Sequence, residues 1–293
     1  MAEFATFIPQ STQDGSFTFI SPEFGESFHS HYGARQESFL KFAAPTQLAT
    51  KAKTGFVRLL DVCYGLGYNT AAALETIWSA NPSCHIEIMA LELNPTVPQA
   101  ALTHNLFDNW NYGYLEILNL LAFKEHIQTT NCHGHLMIGD ARNSILQIRE
   151  SGFTADAIFL DPFSPPQCPQ LWTVEFIKEV SCCLKTTGLL ATYSCAAAVR
   201  TALLNAGLVI ASTPPVGRRT PGTIAAHSDD VLTSTSGIMP LSLAETEHLL
   251  TRAAVPYRDP QLQDSPQTIL QRRQKEQETS DLEPTSQWRK RWL

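Results

Sequence analysis

A chain of 293 residues, 43% hydrophobic and 17% charged, has the length and apolar content of one large globular domain with or without an appendage. Its net charge of −7 argues against a nonspecific nucleic-acid coat, and it has no apolar run near the roughly 18 residues that a membrane-spanning helix needs. Seven scattered cysteines without C-x-x-C spacing, and nine histidines without H-x-x-x-H or H-E-x-x-H, write neither a disulfide framework nor a metal centre.

The polar start Met1-Ala2-Glu3 does not read as a secretory leader, so a reducing cytoplasm is the expected location. Asp14-Gly15 between apolar segments predicts an N-terminal β-hairpin, with arms near residues 4–8 and 17–20. A helix is expected through Phe39, Leu40 and Phe42, and His29, His31 and Glu37 fit its solvated entry. From residue 56, strands are expected at 56–63, 84–91, 135–138, 155–160, 189–193 and 208–212. Helices are expected between them near 70–80, 95–105, 141–150, 173–184 and 196–206. This alternation predicts a doubly wound, Rossmann-like α/β sheet with ligands at the carboxyl ends of its strands.

Residues 106–134 are irregular and read as an insertion covering the site. After about residue 240, Pro256, Pro260, Pro266 and Pro284 interrupt a Gln-, Glu- and Arg-rich sequence, which predicts a helical or partly disordered appendage. The expected division is therefore an N-terminal extension over 1–50, a core domain over 51–240 and an appendage over 241–293. The appendage carries eight acids and eight bases, so the whole negative excess lies in the first 240 residues.

The chemistry is concentrated at the predicted strand ends. Arg58-Leu59-Leu60-Asp61-Val62-Cys63-Tyr64-Gly65-Leu66-Gly67-Tyr68-Asn69 reads as buried strand, tight turn and helix start, which aims free N–H groups at a crevice. The turn is G-x-G without the third glycine of the dinucleotide fingerprint, and no G-x-x-x-x-G-K-[ST] cradles a triphosphate. Asp61, Glu92, Asp140 and Asp161 close four successive strands side by side. A carboxylate in the place of Glu92 accepts both hydroxyls of a ribose, and Asp140 in Gly139-Asp140-Ala141 accepts from an exocyclic amine such as that of adenine. An acidic crevice suits a cation, and S-adenosyl-L-methionine (SAM), a sulfonium carrying an adenosine, matches it. Asp161-Pro162-Phe163-Ser164-Pro165-Pro166 fixes a carboxylate by ring constraints, and Phe163 offers a flat face to a base or a sulfonium.

These residues carry a family resemblance. Asp61 to Asn69, Glu92, Gly139-Asp140, Asp161 to Pro165 and Leu171-Trp172 resemble the methyltransferase domain of the bifunctional tRNA wobble-uridine modification enzyme MnmC. So do Thr192 to Arg200, Ala206-Gly207-Leu208, Gly217-Arg218-Arg219 and, upstream, Phe24-Gly25-Glu26 to Glu37, so the resemblance spans roughly residues 15–228. It implies a class I SAM-dependent methyltransferase that methylates the amine of 5-aminomethyl-2-thiouridine in tRNA. No second nucleotide-binding G-x-G-x-x-G stands for the companion oxidase, so a stand-alone form is expected. Two departures stand out: the family's Gly-Phe-Gly-Thr-Gly turn is Cys63-Tyr64-Gly65-Leu66-Gly67, and its Asp-Gly-Phe is Asp161-Pro162-Phe163.

On this reading Gly65, Gly67 and Asn69 hold the methionine end of the cofactor, with Asp61, Tyr64 and Ala141 beside them. Glu92 takes the ribose, Asp140 the adenine, and Asp161 is the catalytic residue that orients the substrate amine. Phe163 meets cofactor and substrate, and Arg218 and Arg219 contact the anticodon stem-loop. Trp288-Arg289-Lys290-Arg291-Trp292 suits phosphate and base contacts or docking of the tail on its own domain. Neither a metal nor a partner chain is expected. The alternatives are an aminopropyltransferase of the polyamine-synthase type and a non-catalytic binding protein on the same scaffold.

Overall fold

A computed structural model describes residues 7–108, 110, 114–217 and 220–292. Two short strands, β1 (Gln10–Ser11) and β2 (Phe17–Thr18), pair antiparallel. Asp14 shapes the turn between them by accepting from Ser16 N–H at 3.0 Å and from the Thr12 hydroxyl at 2.8 Å. The hairpin is therefore present, but its first arm is not 4–8. Residues 1–6 lie outside the described residues, and Phe7 packs on Phe19 in the core at 5.2 Å. Helix α1 (Ala34–Glu37) runs into a π-helical turn over Ser38–Ala43, and α2 (Leu48–Lys51) follows.

The central sheet contains β3 (Phe56–Val62), β4 (His85–Glu92), β5 (His126–Gln128), β6 (Cys132–Ile138), β7 (Ala155–Leu160), β8 (Leu184–Thr192), β9 (Val209–Thr213) and β10 (Gly222–Ala226). Their order is β5-β6-β4-β3-β7-β8-β10-β9. The run from β6 to β8 is parallel, while β5 and β10 are antiparallel to their neighbours. Strand alternation divides the core into two layers. Val57 and Leu59 of β3 face one cluster with α3 (Tyr68–Ala80), α4 (Thr96–Thr103) and α5 (Leu115–Lys124). Leu60 and Val62 face the other, with α6 (Ala141–Glu150), α7 (Val174–Cys182) and α8 (Ala197–Asn205). The doubly wound sheet is as expected. Among the differences, β6 starts at Cys132, β8 starts at Leu184, and β5, β10 and α5 fall outside the expected elements.

Among the described residues of 106–134, none lines the cavity at the strand ends. They carry α5, β5 and the start of β6, and Phe107 and Trp110 pack on Tyr68 at 4.9 and 5.5 Å. Among the described residues, the C-terminal part carries helices joined by irregular stretches. After the short α9 (Asp229–Thr233), it comprises α10 (Leu243–His248), α11 (Pro266–Thr279) and α12 (Thr285–Trp292). Arg200, 2% exposed, ties it to the sheet by bonding Thr223, Ser212 and Glu245. Trp288 stacks on His248 at 4.1 Å and donates to Ala244 O, and Arg291 is held by Glu247 and Glu283. Of the two readings of the tail, these contacts are those of docking. No helix among the described residues is long and apolar enough to cross a membrane.

Candidate functional site

Strand order reverses between β4 and β7 on either side of β3, and a cavity of about 540 Å³ opens at the carboxyl ends of these strands. Its floor is the turn after β3. Cys63 takes a left-handed backbone (φ 71°), which L side chains adopt at a cost of roughly 1–2 kcal/mol, at the place of a family glycine. Gly65 is also left-handed (φ 56°), which favours glycine, and a Cβ there would crowd the Phe28 ring at 3.3 Å. Glu92, almost fully buried, braces the turn. Its Oε2 accepts from Gly65 N–H at 2.8 Å and its Oε1 from Asn94 N–H at 2.9 Å. Burial pushes the Glu92 carboxyl up, against those N–H groups.

Two expected cofactor residues do not reach the cavity. Asp61 shares the face of Val57 and Leu59, so the strand alternation turns it under α3. There it is fully buried, and Oδ2 accepts from the Thr70 hydroxyl at 2.7 Å. Burial pushes its carboxyl up to about 7. Gly67 is the left-handed residue before α3, with the Tyr64 hydroxyl 2.7 Å from where its Cβ would be, so it serves the packing of Tyr64. Tyr64, Gly65, Asn69, Glu92, Asp140, Ala141, Asp161 and Phe163 all line the cavity. Arg218 and Arg219 lie outside the described residues. Gly217 before them packs on Tyr32, a half-exposed residue of the cavity wall; a Cβ on it would lie 2.6 Å from Tyr32 Cβ.

Asp140 caps α6 and is clasped by Arg142, whose backbone N–H reaches Oδ1 at 2.9 Å and whose Nη2 reaches Oδ2 at 2.7 Å. Burial alone would raise its carboxyl, but these bonds outweigh burial and hold it below its ordinary value. Arg142 continues to Asp259 Oδ2 at 2.8 Å and to the Asp264 carbonyl at 2.9 Å.

The loop after β7 is held at three successive residues. Tyr193 donates its hydroxyl to Pro162 O at 3.0 Å, Trp172 Nε1 donates to Phe163 O at 2.8 Å, and Ser164 N–H donates to Glu26 Oε2 at 2.9 Å. The Ser164 hydroxyl also bonds Glu26. Phe163 stands between Phe24 and Phe28, at ring separations of 4.6 and 5.0 Å. Asp161 itself is held by Asn69, whose Nδ2 donates to Oδ2 at 2.8 Å. Burial pushes the Asp161 carboxyl well above its ordinary range, the nearby carboxylates of Glu37 and Asp61 add to this, and the Asn69 bond opposes it.

The fourth wall is the N-terminal segment. His29 and Glu37 are not a solvated helix entry: both are buried, both line the cavity, and Glu37 pairs with the buried Lys41 while accepting Ser30 N–H at 2.7 Å. Burial would raise Glu37, yet Lys41, His29 and Ser30 N–H together hold it below its ordinary value. Burial drives the His29 imidazole down to about 4 against the pull of Glu37. Sequence reasoning missed Glu26, Ser30 and Tyr193 as wall residues. The i, i+4 spacing of Glu37 and Lys41 shows in the sequence that the two can pair, but not that the pair is buried.

Comparison with known proteins bears on this geometry. Residues 104–228 match a family described as S-adenosyl-L-methionine-dependent methyltransferases. The crystal structure of MNMC2 from Aquifex aeolicus is 32% identical and aligns with a TM-score of 0.80, covering 94% of this chain and 86% of that one. An uncharacterised protein of Methanocaldococcus jannaschii is 30% identical over 275 residues, which is 91% of this chain and 71% of that protein. The tRNA 5-methylaminomethyl-2-thiouridine biosynthesis bifunctional protein MnmC of Paracidovorax citrulli is 31% identical over 235 residues, 73% of this chain. The chain spans about a third of that relative's length, 34%.

Proposed function

Because the chain belongs to the MnmC2 family of class I S-adenosyl-L-methionine-dependent methyltransferases, we propose that its methyl acceptor is an aminomethyl group on a wobble uridine of tRNA. The conversion is that of 5-aminomethyl-2-thiouridine to 5-methylaminomethyl-2-thiouridine. The observation that carries this reading is Asp161. It is a cavity carboxylate with a raised proton affinity, locked by Asn69 on a loop that is itself bonded at Pro162, Phe163 and Ser164.

The cavity suits the cofactor in volume, in the missing Cβ at Gly65 and in the acceptors of Glu92 and Asp140. In the proposed arrangement Tyr64 and Gly65 border the methionine end, Glu92 takes the ribose hydroxyls, and Asp140 with Ala141 meets the adenine. Glu92 keeps acceptor capacity for this beside its bonds from the backbone N–H groups of Gly65, Asn94 and Leu93. When bound, the cofactor supplies a methyl group on a positively charged sulfur, so that a nitrogen–carbon bond forms as the sulfur–carbon bond breaks and sulfur keeps the electron pair. Asp161 accepts an N–H of the amine, orients its lone pair and takes the proton that the nitrogen sheds. The aromatic cluster of Phe24, Phe28 and Phe163 keeps water away from the reacting nitrogen.

Aminopropyl transfer would require an unneutralised carboxylate for a distal ammonium. The additional wall acids do not supply it, because Glu37 is paired with Lys41 and Glu26 is bonded to Ser164. Asp156 accepts from Arg58 N–H and Lys185. The test is incubation with SAM and tRNA bearing 5-aminomethyl-2-thiouridine, followed by nucleoside mass spectrometry. A gain of one methyl group is the expected result. A protein that binds SAM yet leaves this nucleoside unchanged overturns the reading.

A further inference from the structure

Asn69, the second residue of α3, is 3% exposed and lines the cavity. Its amide is placed with Nδ2 donating to the Asp161 carboxylate Oδ2 at 2.8 Å, which directs Oδ1 the other way. Oδ1 is buried and has no partner among the described residues. An unpaired buried acceptor costs about 1–3 kcal/mol, and native proteins rarely leave one without a use. The other polar groups at this end of β7 are engaged. Pro162 O has the Tyr193 hydroxyl, Phe163 O has Trp172, and Ser164 N–H has Glu26. Among the described residues, His29 Nδ1, Ser30 Oγ and Gln170 Oε1 of the cavity lining are also buried without a partner, but the side chain bonded to Asp161 is that of Asn69, which sets its Oδ1 beside the second Asp161 oxygen.

We propose that Asn69 Oδ1 and Asp161 form a two-acceptor cradle for a primary amine, each taking one of its two N–H bonds. This deepens the amine-methylation reading and rests on it. With both N–H bonds held, the lone pair has a single direction left, which is the orientation the reaction needs. A primary ammonium has three N–H bonds and no lone pair, so the cradle takes the free-base amine from solution, and Asp161 receives the one proton shed on transfer. A secondary amine offers a single N–H bond. One acceptor then stays unpaired, and the new methyl group occupies the space of the lost hydrogen. The cradle therefore sets product specificity: the enzyme methylates once and releases a nitrogen that it no longer holds well. Asn69 thereby acts on the substrate rather than on the methionine end of the cofactor.

The test compares the full chain with Asn69→Leu, which keeps the size and removes the acceptor, and with Asn69→Ala, which suits a helix start if leucine disturbs folding. Two tRNAs are offered, one with the primary aminomethyl group and one already bearing a single N-methyl group. The readouts are kcat/KM on each, affinity of the cofactor-free protein for each by filter binding, and SAM affinity by calorimetry. The unaltered protein should favour the primary amine by about 5- to 150-fold in both turnover and binding, the range one buried hydrogen bond spans. Both variants should lose that preference while SAM affinity stays within about threefold. Preference retained in both variants, with SAM affinity weakened tenfold or more, assigns Asn69 to the methionine end and overturns the cradle alone. Equal use of both tRNAs by the unaltered protein also overturns it. An unaltered protein that binds SAM but is inert on the primary amine removes the functional reading and the cradle together.

Discussion

Replacing Glu92 by glutamine exchanges one carboxylate oxygen for an NH₂ group, and the geometry leaves that group no good place. Gly65 N–H points at one oxygen (2.8 Å) and Asn94 N–H at the other (2.9 Å), so either orientation sets an NH₂ against a backbone donor. A lost hydrogen bond to a charged acceptor is worth about 1.5–3 kcal/mol. Relief from holding a buried charge, which is what raises the Glu92 pKa, offsets part of this and leaves a loss of about 1–2 kcal/mol in the free protein. For a chain of this length that lowers Tm by roughly 2–3 °C. If Glu92 also takes the ribose hydroxyls, cofactor affinity falls separately by roughly 10- to 150-fold. Thermal melting of the free protein and calorimetric titration with S-adenosylhomocysteine read the two effects apart. A variant with lowered Tm and parental affinity leaves Glu92 as a brace of the turn and refutes its ribose role. Parental values in both measurements refute both roles.

Asp161→Asn should lose most single-turnover methylation while binding SAM within a few fold; a variant whose turnover survives within a few fold moves the proton-accepting role elsewhere. His29→Phe tests the buried imidazole through pH. With the folded pKa near 4 against an ordinary 6.5, the unfolded chain binds a proton that the folded one refuses, so stability falls as pH drops through that window. The phenylalanine variant should therefore gain about 3 kcal/mol relative to the parent between pH 7 and pH 4, and urea melts showing a constant difference would contradict the burial argument. Arg218→Ala with Arg219→Ala should weaken tRNA binding and flatten the slope of log affinity against log salt by about 0.7–0.9 for each phosphate that the pair neutralises. SAM affinity should be unchanged, and an unaltered salt slope would move the tRNA surface away from this pair.

The sheet and the ends of its strands were legible because they rest on local signals. The β3 turn, Glu92, Asp140 and Asp161 follow from apolar runs ending in glycine or acid. Asp61 was misread because its place at the end of a strand was considered without its parity: two residues past Leu59, it belongs to the α3 face. The first half of β8 was hidden by Lys185-Thr186-Thr187-Gly188, which has the composition of a turn. β10 was hidden because Gly222-Thr223-Ile224-Ala225-Ala226 is short and follows Pro221. The N-terminal wall was out of reach for another reason. Glu37 and Lys41 read alike on a solvated helix and in a buried pair, and only tertiary packing of the segment over the strand ends separates the two.

Arg142 joins Asp140 at the cavity to Asp259 and Asp264, more than a hundred residues further along the chain. Asp259 is fully buried and also accepts from the N–H groups of Gln263 and Asp264, so this clamp is formed only when that stretch has folded. During synthesis the sheet and its acidic crevice leave the ribosome well before residue 259 does. Until then Arg142 lacks its distal anchor, and the carboxylate proposed for adenine is held from one side alone. A chain ended before Val255 should accordingly bind S-adenosylhomocysteine more weakly than the full chain even where its sheet is intact by circular dichroism. The expected consequence is that cofactor affinity is coupled to the folding of the stretch around Asp259, a segment remote in sequence from the crevice it steadies.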